Sequence, residues 1–428
     1  MAALQPYWWD EAPLRSLPPQ TVEPRCDAVV VGAGYTGLSA AITLARAGRS
    51  VQVFDKMRPG EGASTRNGGI ASANLRPTFQ QMIDRFGLER AQAIQAEARA
   101  AREDLLAFMR EEKIDCDFRM TGRFAGASSP KQYEDLAREA ELLVKHLGIE
   151  AYTLPRAEQR SAVGTDLYHG GMVRMDIGGL HPAKLHAEML RVAISAGSVV
   201  HGETAVLSIT KAEDGFAVET SRGPVAARDV IVGTNAYTDS VDPWLRRRLV
   251  PVASSIIATA PLSGNLMRTL MPRGFMCSET RKLHYYYRPS PDGRRILFGG
   301  RGASLGEDPA RATRRLQQAM MDVFPEVGGV DISHCWSGFV AMNRDMIPRI
   351  FSHGGLHYAA GYCGSGVVWA RWAGQKVALQ VLGRAEGRSA LHFRPPRLIP
   401  FYNGKPWFMP AFFAWYELQD RIARRHGR

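Results

Sequence analysis

Residues 26–56 read CDAVVVGAGYTGLSAAITLARAGRSVQVFDK, and this stretch decides the fold. Its opening apolar run is typical of a strand buried in a parallel sheet. Gly32, Gly34 and Gly37 then give the spacing G-x-G-x-x-G at the turn into a helix. The first glycine permits the tight turn, the second leaves room for a pyrophosphate, and the third lets the helix pack closely on the strand.

A second strand and an acid complete the unit. Residues 50–54 form another apolar run, and Asp55 follows it, eighteen residues beyond Gly37. A carboxylate at this place can accept hydrogen bonds from a ribose and would repel a 2′-phosphate, which disfavours NADP. The order of strand, glycines, helix, strand and acid predicts a Rossmann-type nucleotide-binding domain of the α/β class.

The composition fits a folded chain of more than one domain. The 428 residues are 45% hydrophobic and 22% charged, which provides a substantial core. The formal net charge is +12, but the arginines are spread along the chain and no basic block is interleaved with aromatic residues. We therefore expect no nucleic-acid partner.

Cysteine and histidine usage predicts a cytoplasmic protein without a metal site. The five cysteines include no C-x-x-C pair, which argues against disulfides and structural zinc. His181 and His186 lack the i, i+4 spacing of helical zinc ligands and are expected to be structural. Residues 1–19 lack the apolar core of a secretory signal, and no apolar run reaches the about 18 residues of a membrane span.

Two further segments decide between FAD and NAD, which share the first fingerprint. Residues 60–69, GEGASTRNGG, let the backbone pass close to a flat ligand, and Arg66 and Asn67 can meet its polar edge. Residues 361–366, GYCGSG, open a helix whose free N–H groups suit the N1–C2=O edge of a reduced flavin. Either segment alone would be an ordinary glycine-rich loop, but together they favour FAD.

By contrast, residues 300–306 are interpreted as the end of a hairpin strand rather than a nicotinamide site.

The cofactor-binding candidates from these segments are Gly32, Ala33, Gly34, Tyr35, Thr36, Gly37, Asp55, Lys56, Ala63, Ser64, Thr65, Arg66, Asn67, Gly68, Gly69, Gly361, Gly364, Ser365, Gly366 and Val367.

The motifs VVVGAGYTGLSAA, GASTRNGG, GGLHPAKL, VIVGTNAY and GYCGSGVVWA together resemble the D-amino-acid oxidase and glycine oxidase superfamily of FAD enzymes. Within it, LYHGGM followed by GGLHP, and YYYRPSPDGRRILFGG, are most similar to the gamma-glutamylputrescine oxidoreductase branch. The resemblance implies a discontinuous FAD-binding domain with an α+β substrate domain whose antiparallel sheet covers the flavin. It also implies that the backbone of Val206 meets the adenine.

The domain boundaries implied by the resemblance are 24–75, 168–240 and 332–390 for the FAD-binding domain, and 76–167 and 241–331 for the substrate domain, with an N-terminal arm at 1–23 and a tail at 391–428.

Three departures from related enzymes bear on the chemistry. Gly338 stands where sarcosine-oxidase relatives tether the flavin to a cysteine, so we expect non-covalent FAD. Val368 and Leu297 stand where the same relatives have lysines that hold a substrate carboxylate and assist oxygen. Recognition of a simple amino acid and fast reaction with oxygen are therefore not implied.

The catalytic candidates His284, Tyr286 and Arg288 lie in residues 283–288, which read as a strand entering a hairpin turn. They alternate with Tyr285 and Tyr287, so the two sets face opposite sides. The resemblance places the first set over the flavin, where Arg288 can bind a carboxylate or carbonyl of the substrate. The alternative is an aromatic-rich strand that packs on both faces.

The resemblance implies oxidation of the C–N bond of a small amine, such as gamma-glutamylputrescine or another primary or secondary amine. Hydride would pass to flavin N5, the imine would hydrolyse, and the electrons would reach oxygen or another acceptor. Two alternatives stay open: a D-amino-acid dehydrogenase that passes electrons to a membrane quinone, and a flavin-binding subunit of a larger complex.

The carboxy-terminal tail has two interpretations. Phe408, Phe412, Trp415 and Ile422 fall near helical spacing and arginines follow them. Such a helix can lie on an anionic membrane surface, or it can pack on the enzyme's own body or at a contact between identical subunits.

Overall fold

The computed structural model describes residues 2–302 and 306–425. Its α-helices are α1 (Trp8–Glu11), α2 (Tyr35–Arg46), α3 (Ala63–Arg66), α4 (Phe79–Phe86), α5 (Leu88–Glu111), α6 (Pro130–Leu147), α7 (Pro182–Ser195), α8 (Pro243–Arg246), α9 (Gly264–Leu270), α10 (Pro309–Val323), α11 (Gly366–Val381) and α12 (Met409–Arg425). Its strands are β1 (Arg25–Val31), β2 (Val51–Phe54), β3 (Ile70–Ala71), β4 (Arg123–Gly126), β5 (Ala151–Leu154), β6 (Gly171–Arg174), β7 (Gly178–Gly179), β8 (Val199–His201), β9 (Val206–Ala212), β10 (Gly215–Thr220), β11 (Gly223–Val232), β12 (Val250–Thr259), β13 (Met276–Glu279), β14 (Tyr286–Pro289), β15 (Ile296–Arg301), β16 (Ile332–Met342), β17 (Arg349–His353) and β18 (Leu356–Ala360).

The first sheet is built around the predicted nucleotide-binding unit. Its strand order is β17-β18-β11-β1-β2-β8, and β1 pairs in parallel with both β2 and β11. The β9–β10 hairpin extends this sheet from β11. Strand β1 is buried along most of its length, as its apolar sequence predicts. The Rossmann-type α/β architecture is therefore confirmed.

Helices α2 and α11 pack closely because glycines remove side chains at their contacts. A Cβ on Gly37 would lie 1.8 Å from the carbonyl oxygen of Gly32, so only glycine allows α2 to begin directly against its strand. A Cβ on Gly374 in α11 would lie 2.2 Å from the carbonyl oxygen of Thr36. The start of α2 is thus held between its own strand and α11.

The second sheet is mostly antiparallel, with the order β16-β12-β15-β14-β13-β4-β6-β5. One face packs on α10 and buries Tyr287, Phe298 and Phe324. Strands β6 and β16 pair in this second sheet although they lie in ranges assigned to the FAD-binding domain. The chain returns to the first sheet only after β6 and after β16. The predicted domain boundaries at 168 and 332 therefore do not mark the points where the chain changes sheet.

Two local expectations are tested by the second sheet. Residues 283–288 are not one strand: β14 begins at Tyr286, and a turn at residues 281–283 precedes it. Strand β15 pairs antiparallel with β14, which agrees with a hairpin strand ending near Gly302. Residues 303–305 of the glycine-rich stretch lie outside the described residues.

The amino-terminal arm and the tail both pack on this two-sheet body. Tyr7 and Trp8 are buried against Trp336 and Leu297, and Ala3 forms a bridge with His334 in β16. In the tail, Phe413 is buried while Phe412 and Trp415 are about half exposed. Within residues 2–302 and 306–425, no helix combines the length and the apolar character that a membrane crossing requires.

Candidate flavin site and substrate face

The turn between β1 and α2 leaves its backbone open at the carboxyl edge of the first sheet. Gly32 has φ of +100°, a conformation that favours glycine. A Cβ on Gly34 would lie 2.8 Å from Ser64 Oγ, which also accepts a hydrogen bond from the backbone N–H of Tyr35 at 3.0 Å. Gly34 provides no side-chain cap, so the N–H groups of α2 that follow Tyr35 stay available to a phosphate group.

The carboxylate of Asp55 is already hydrogen-bonded to the protein backbone. Its carboxylate accepts hydrogen bonds from the backbone N–H groups of Ala33 at 2.8 Å and Met57 at 2.9 Å. Burial raises the pKa of Asp55, while these hydrogen bonds oppose the shift. A carboxylate offers about four lone-pair positions. Asp55 borders the cleft, so it can also accept from a ribose.

Three indole groups hold the segment after β2. Trp9 donates to Thr65 Oγ1 at 3.0 Å, Trp336 donates to the carbonyl of Arg66 at 2.9 Å, and Trp8 donates to the carbonyl of Asn67 at 2.9 Å. Each is a tertiary contact across the fold, which is why the local sequence of this segment does not reveal them.

The side chains of Arg66 and Asn67 are used differently from the expectation. Arg66 donates to the carbonyl oxygens of Glu61 at 2.7 Å and Ser337 at 3.2 Å. The Asn67 amide donates to the carbonyl of Ser64 at 2.8 Å, and its oxygen accepts from the backbone N–H of Gly69 at 2.8 Å. Both side chains therefore stabilise the loop itself, because their polar groups are already paired within the protein.

The turn before α11 presents a second set of backbone groups. Gly361, Cys363 and Gly364 have φ values of +77°, +53° and +104°. Helix α11 begins at Gly366, and Ser365 makes no side-chain cap. Its free N–H groups and the positive end of its dipole suit a ligand edge that gains negative charge.

A cleft of about 1180 Å³, measured with its open mouth, joins these segments. The uncapped helix ends at its border fit the phosphate groups of a dinucleotide cofactor. The predicted residues that border it are Gly32, Gly34, Tyr35, Thr36, Asp55, Lys56, Ala63, Ser64, Asn67, Val206, Gly364, Gly366 and Val367. The predicted residues that do not border it are Ala33, Gly37, Thr65, Arg66, Gly68, Gly69, Gly361 and Ser365.

The cleft also has walls that were not singled out from the sequence. They include Gly233, Thr234, Asn235, Tyr237, Val340, Ala341, Tyr362 and Cys363. The VIVGTNAY motif, which contains the first four, is the signal that could have identified them. Val340 and Ala341 lie in β16 and no local pattern marks them.

Tyr286 lies where the second sheet meets the flavin loop, the glycine-rich segment of residues 60–69. Its hydroxyl is 3.0 Å from Ser254 Oγ, and a Cβ on Gly68 would lie 3.1 Å from its ring. Burial raises the pKa of Tyr286 to about 12, so its hydroxyl stays protonated at neutral pH. Tyr287 points to the opposite side, where its buried hydroxyl is 3.2 Å from that of Tyr168. The alternation predicted for these two tyrosines is confirmed.

The role predicted for Arg288 is not supported. The residue is only 4% exposed, and its Nη1 donates to the carbonyl oxygens of Gly69 at 2.7 Å and Leu180 at 2.9 Å. Its Nε donates to the carbonyl of Pro289 at 3.0 Å. Its face of the strand is as predicted, but the guanidinium group is already hydrogen-bonded to the end of the glycine-rich segment 60–69.

His284 also differs from its expectation, because it precedes β14 rather than lying within it. Burial, and then the charges of Arg76 and Arg123, lower the pKa of His284 to about 3. Arg123 in turn donates through Nε to Ser278 Oγ at 3.0 Å, and Ser278 pairs with Tyr286 in the sheet. His284, Arg123 and Tyr286 are therefore grouped at one side of the second sheet, as a neutral imidazole, a cation and a phenol.

The positions that depart from related enzymes are filled by packing. A Cβ on Gly338 would lie 3.2 Å from Arg66 Cβ. Leu297 is buried in the cluster that contains Trp8 and Trp336. His181 caps α7 by accepting from the backbone N–H of Lys184 at 3.2 Å, and His186 lies 2.8 Å from the carbonyl of Ala33. Both histidines have the structural roles predicted for them.

Comparisons with known proteins agree with this site. The family model described as "DAO: FAD dependent oxidoreductase" matches residues 27–380. The chain is 30% identical to the oxidoreductase OrdL of Rhizobium meliloti over 97% of this chain and 98% of that protein. It is 31% identical to the gamma-glutamylputrescine oxidoreductase of Escherichia coli over 93% of each.

Among solved structures, glycine oxidase from Geobacillus kaustophilus shares the fold with a TM-score of 0.71 at 22% identity, covering 89% of this chain and 99% of that chain. The resemblance inferred from the sequence and the choice of FAD are thereby confirmed. The chain belongs to the DAO family of FAD-dependent oxidoreductases.

Proposed function

We propose that this enzyme oxidises the C–N bond of a small primary or secondary amine, of the gamma-glutamylputrescine type, with non-covalently bound FAD. When bound, FAD accepts a hydride from the carbon next to the nitrogen. The protein must bind the amine in its neutral form, hold its carbon close to the flavin and exclude water during the transfer. His284, Arg76 and Arg123, near Tyr286, favour the first of these requirements, the binding of a neutral amine.

The observation that carries the proposal is the grouping of His284 with the guanidinium groups of Arg76 and Arg123. Burial and the two guanidinium groups of Arg76 and Arg123 lower the pKa of the imidazole to about 3. The same surroundings would lower the pKa of an amine that binds there, because an ammonium ion beside two cations is disfavoured. The neutral amine keeps its lone pair, which the oxidation requires. His284 itself is too weak a base to take up the amine's proton at neutral pH.

The neighbouring groups can position the substrate rather than transfer protons. The phenol of Tyr286 stays protonated and can shape the pocket against the flavin loop. The dipole of α11 supports a cofactor that gains negative charge on reduction. Gly338 provides no thiol at the position used for tethering by related enzymes, which supports non-covalent binding.

The test is anaerobic bleaching of the bound flavin by a panel of amines. We expect gamma-glutamylputrescine or a close analogue to bleach the yellow protein, whereas the form acetylated on the terminal putrescine nitrogen, which no longer has a free amine on the carbon to be oxidised, leaves the colour unchanged. Including D-amino acids and other secondary amines in the panel identifies the substrate class. A protein that holds FAD but is bleached by no amine would contradict the proposal and favour a flavin-binding subunit.

A further inference from the structure

Helix α12 lies outside residues 27–380, the part of the chain that the DAO family model matches. It nevertheless contacts both sides of the site. Phe413, Tyr416 and Asp420 recur at helical spacing, and all three are at least partly buried. The intervening Phe412 and Trp415 are 50% and 55% exposed. The helix therefore packs on the enzyme through one defined face.

The first end of this face packs on the glycine turn before α11. Phe413 is 5% exposed and belongs to a cluster with Val252, Met342 and Cys363. Cys363 also borders the flavin cleft. The aromatic end of α12 thus belongs to a hydrophobic cluster that reaches the wall of the cleft.

The second end is attached to the turn that leads into the substrate face. The Asp420 carboxylate accepts hydrogen bonds from the backbone N–H groups of Lys282 at 2.9 Å and Leu283 at 3.2 Å. His284 and then Tyr286 follow directly. An ionised acceptor that holds two backbone donors gives a stronger attachment than a neutral one.

Between these two attachments lie Tyr416 and Arg76. Arg76 is solvent-exposed, and Tyr416 and Cys363 are neighbours that favour its charged form. Within the described part of the chain, no carboxylate lies within ion-pair distance of Arg76. The face of α12 therefore brings Tyr416 close to an exposed guanidinium group without an ion-pair partner among those residues.

We propose that α12 forms a wall beside the flavin cleft, next to His284, and limits which molecules reach the flavin. Asp420 and Phe413 position the helix, and Tyr416 lies near Arg76. The identity of the excluded and admitted amines rests on the proposed function, but the wall itself can be tested without an amine.

The test uses Asp420→Ala in the full-length, FAD-loaded enzyme. Sulfite, a small nucleophile that adds to N5 of oxidised flavins and bleaches them, reports access to the flavin, and quenching of flavin fluorescence by iodide gives a second measure. Loss of two hydrogen bonds to a charged group should open the helix end and raise the sulfite association rate by roughly tenfold or more. Iodide quenching should rise as well.

Matched variants separate this effect from a general loss of structure. Glu417→Ala removes an exposed acid from the same helix and should leave both probes at wild-type values. Asp420→Asn keeps one of the two acceptor oxygens and should restore only part of the protection. FAD content and thermal stability are measured for each variant, because the wall should affect access without removing the cofactor.

The outcomes are distinct. Faster sulfite addition, together with a raised KM for gamma-glutamylputrescine at near-normal kcat, supports the wall. Equal access to both probes in Asp420→Ala and wild type would overturn it, whatever the enzyme's activity. A wild-type enzyme that is never bleached by any amine would defeat the proposed function, while increased sulfite access in Asp420→Ala would still support the wall.

Discussion

The indole nitrogen of Trp8 lies 2.9 Å from the carbonyl oxygen of Asn67 and donates a hydrogen bond to it. Trp8 is fully buried, and Asn67 borders the flavin cleft. The amino-terminal arm, which precedes the nucleotide-binding unit in the sequence, therefore helps to fix the loop that faces the cofactor. Trp9 and Trp336 hold the two preceding residues in the same way.

Trp8→Phe should weaken FAD binding while keeping most of the packing. The substitution leaves the Asn67 carbonyl without this donor, a loss of about 1–3 kcal/mol for a buried acceptor. We expect a higher Kd for FAD, measured by titration of the apoprotein. Trp407→Phe, which changes an indole that is 66% exposed, is the control and should bind FAD normally. Equal affinity in both variants would show that the arm does not support the loop.

Gly34→Ala should give a folded protein that lacks its yellow colour. The new Cβ would lie 2.8 Å from Ser64 Oγ, a side chain that can rotate, so the fold should survive. The same methyl group would occupy the space expected for the pyrophosphate. The double variant Gly34→Ala, Ser64→Ala removes the contact within the protein and should stay colourless. Recovery of FAD in the double variant would mean that the clash is with Ser64 alone.

Arg288→Leu should destabilise the enzyme rather than impair substrate binding specifically. It leaves the buried carbonyl of Leu180 without its side-chain donor, at about 1–3 kcal/mol, and removes one of the two hydrogen bonds to the carbonyl of Gly69. Chemical denaturation should show the loss, and FAD occupancy should fall with it. Arg288→Lys, which keeps a charge and a donor, should recover part of the stability. A stable, fully loaded Arg288→Leu variant that has lost only kcat/KM would instead place this side chain at the substrate.

The low pKa of His284 predicts a stability that falls with acid. Its pKa is about 3 in the folded protein, below the ordinary value of about 6.5. The unfolded chain therefore binds more protons between these values, and folding stability decreases as the pH falls from about 6.5 towards 3. His284→Gln should make the free energy of unfolding less dependent on pH in this window. An unchanged pH profile would contradict the buried, cation-flanked position of the imidazole.

Acid precipitation tests the attachment of the cofactor. Gly338 lies in β16 and has no side chain to form a bond, so FAD should remain in the supernatant. Flavin fluorescence that stays with the precipitated protein would show that another residue tethers it.

The nucleotide-binding unit was predictable because each of its residues acts locally. Gly32 and Gly37 are required by a turn and a helix contact within the same short stretch, so spacing alone reveals them. The hydrogen bonds of Arg288 to Gly69 and Leu180 were not predictable, because strand alternation gives the face of a residue but not where a long side chain ends. His284 was placed in a strand that begins two residues later, because the turn held by Asp420 depends on a helix far along the chain. Contacts of this kind have no local pattern.

The central claim is that FAD in this cleft oxidises an amine bound beside His284 and Tyr286. Anaerobic rapid mixing with gamma-glutamylputrescine tests this claim most directly. The substrate is used unlabelled and deuterated at the carbon next to the terminal amine of its putrescine part. The account predicts that flavin bleaching accelerates with pH as the amine loses its proton, and that deuterium slows it severalfold. A bleaching rate that depends on neither pH nor deuterium, or the absence of bleaching by any amine in the panel, would contradict it.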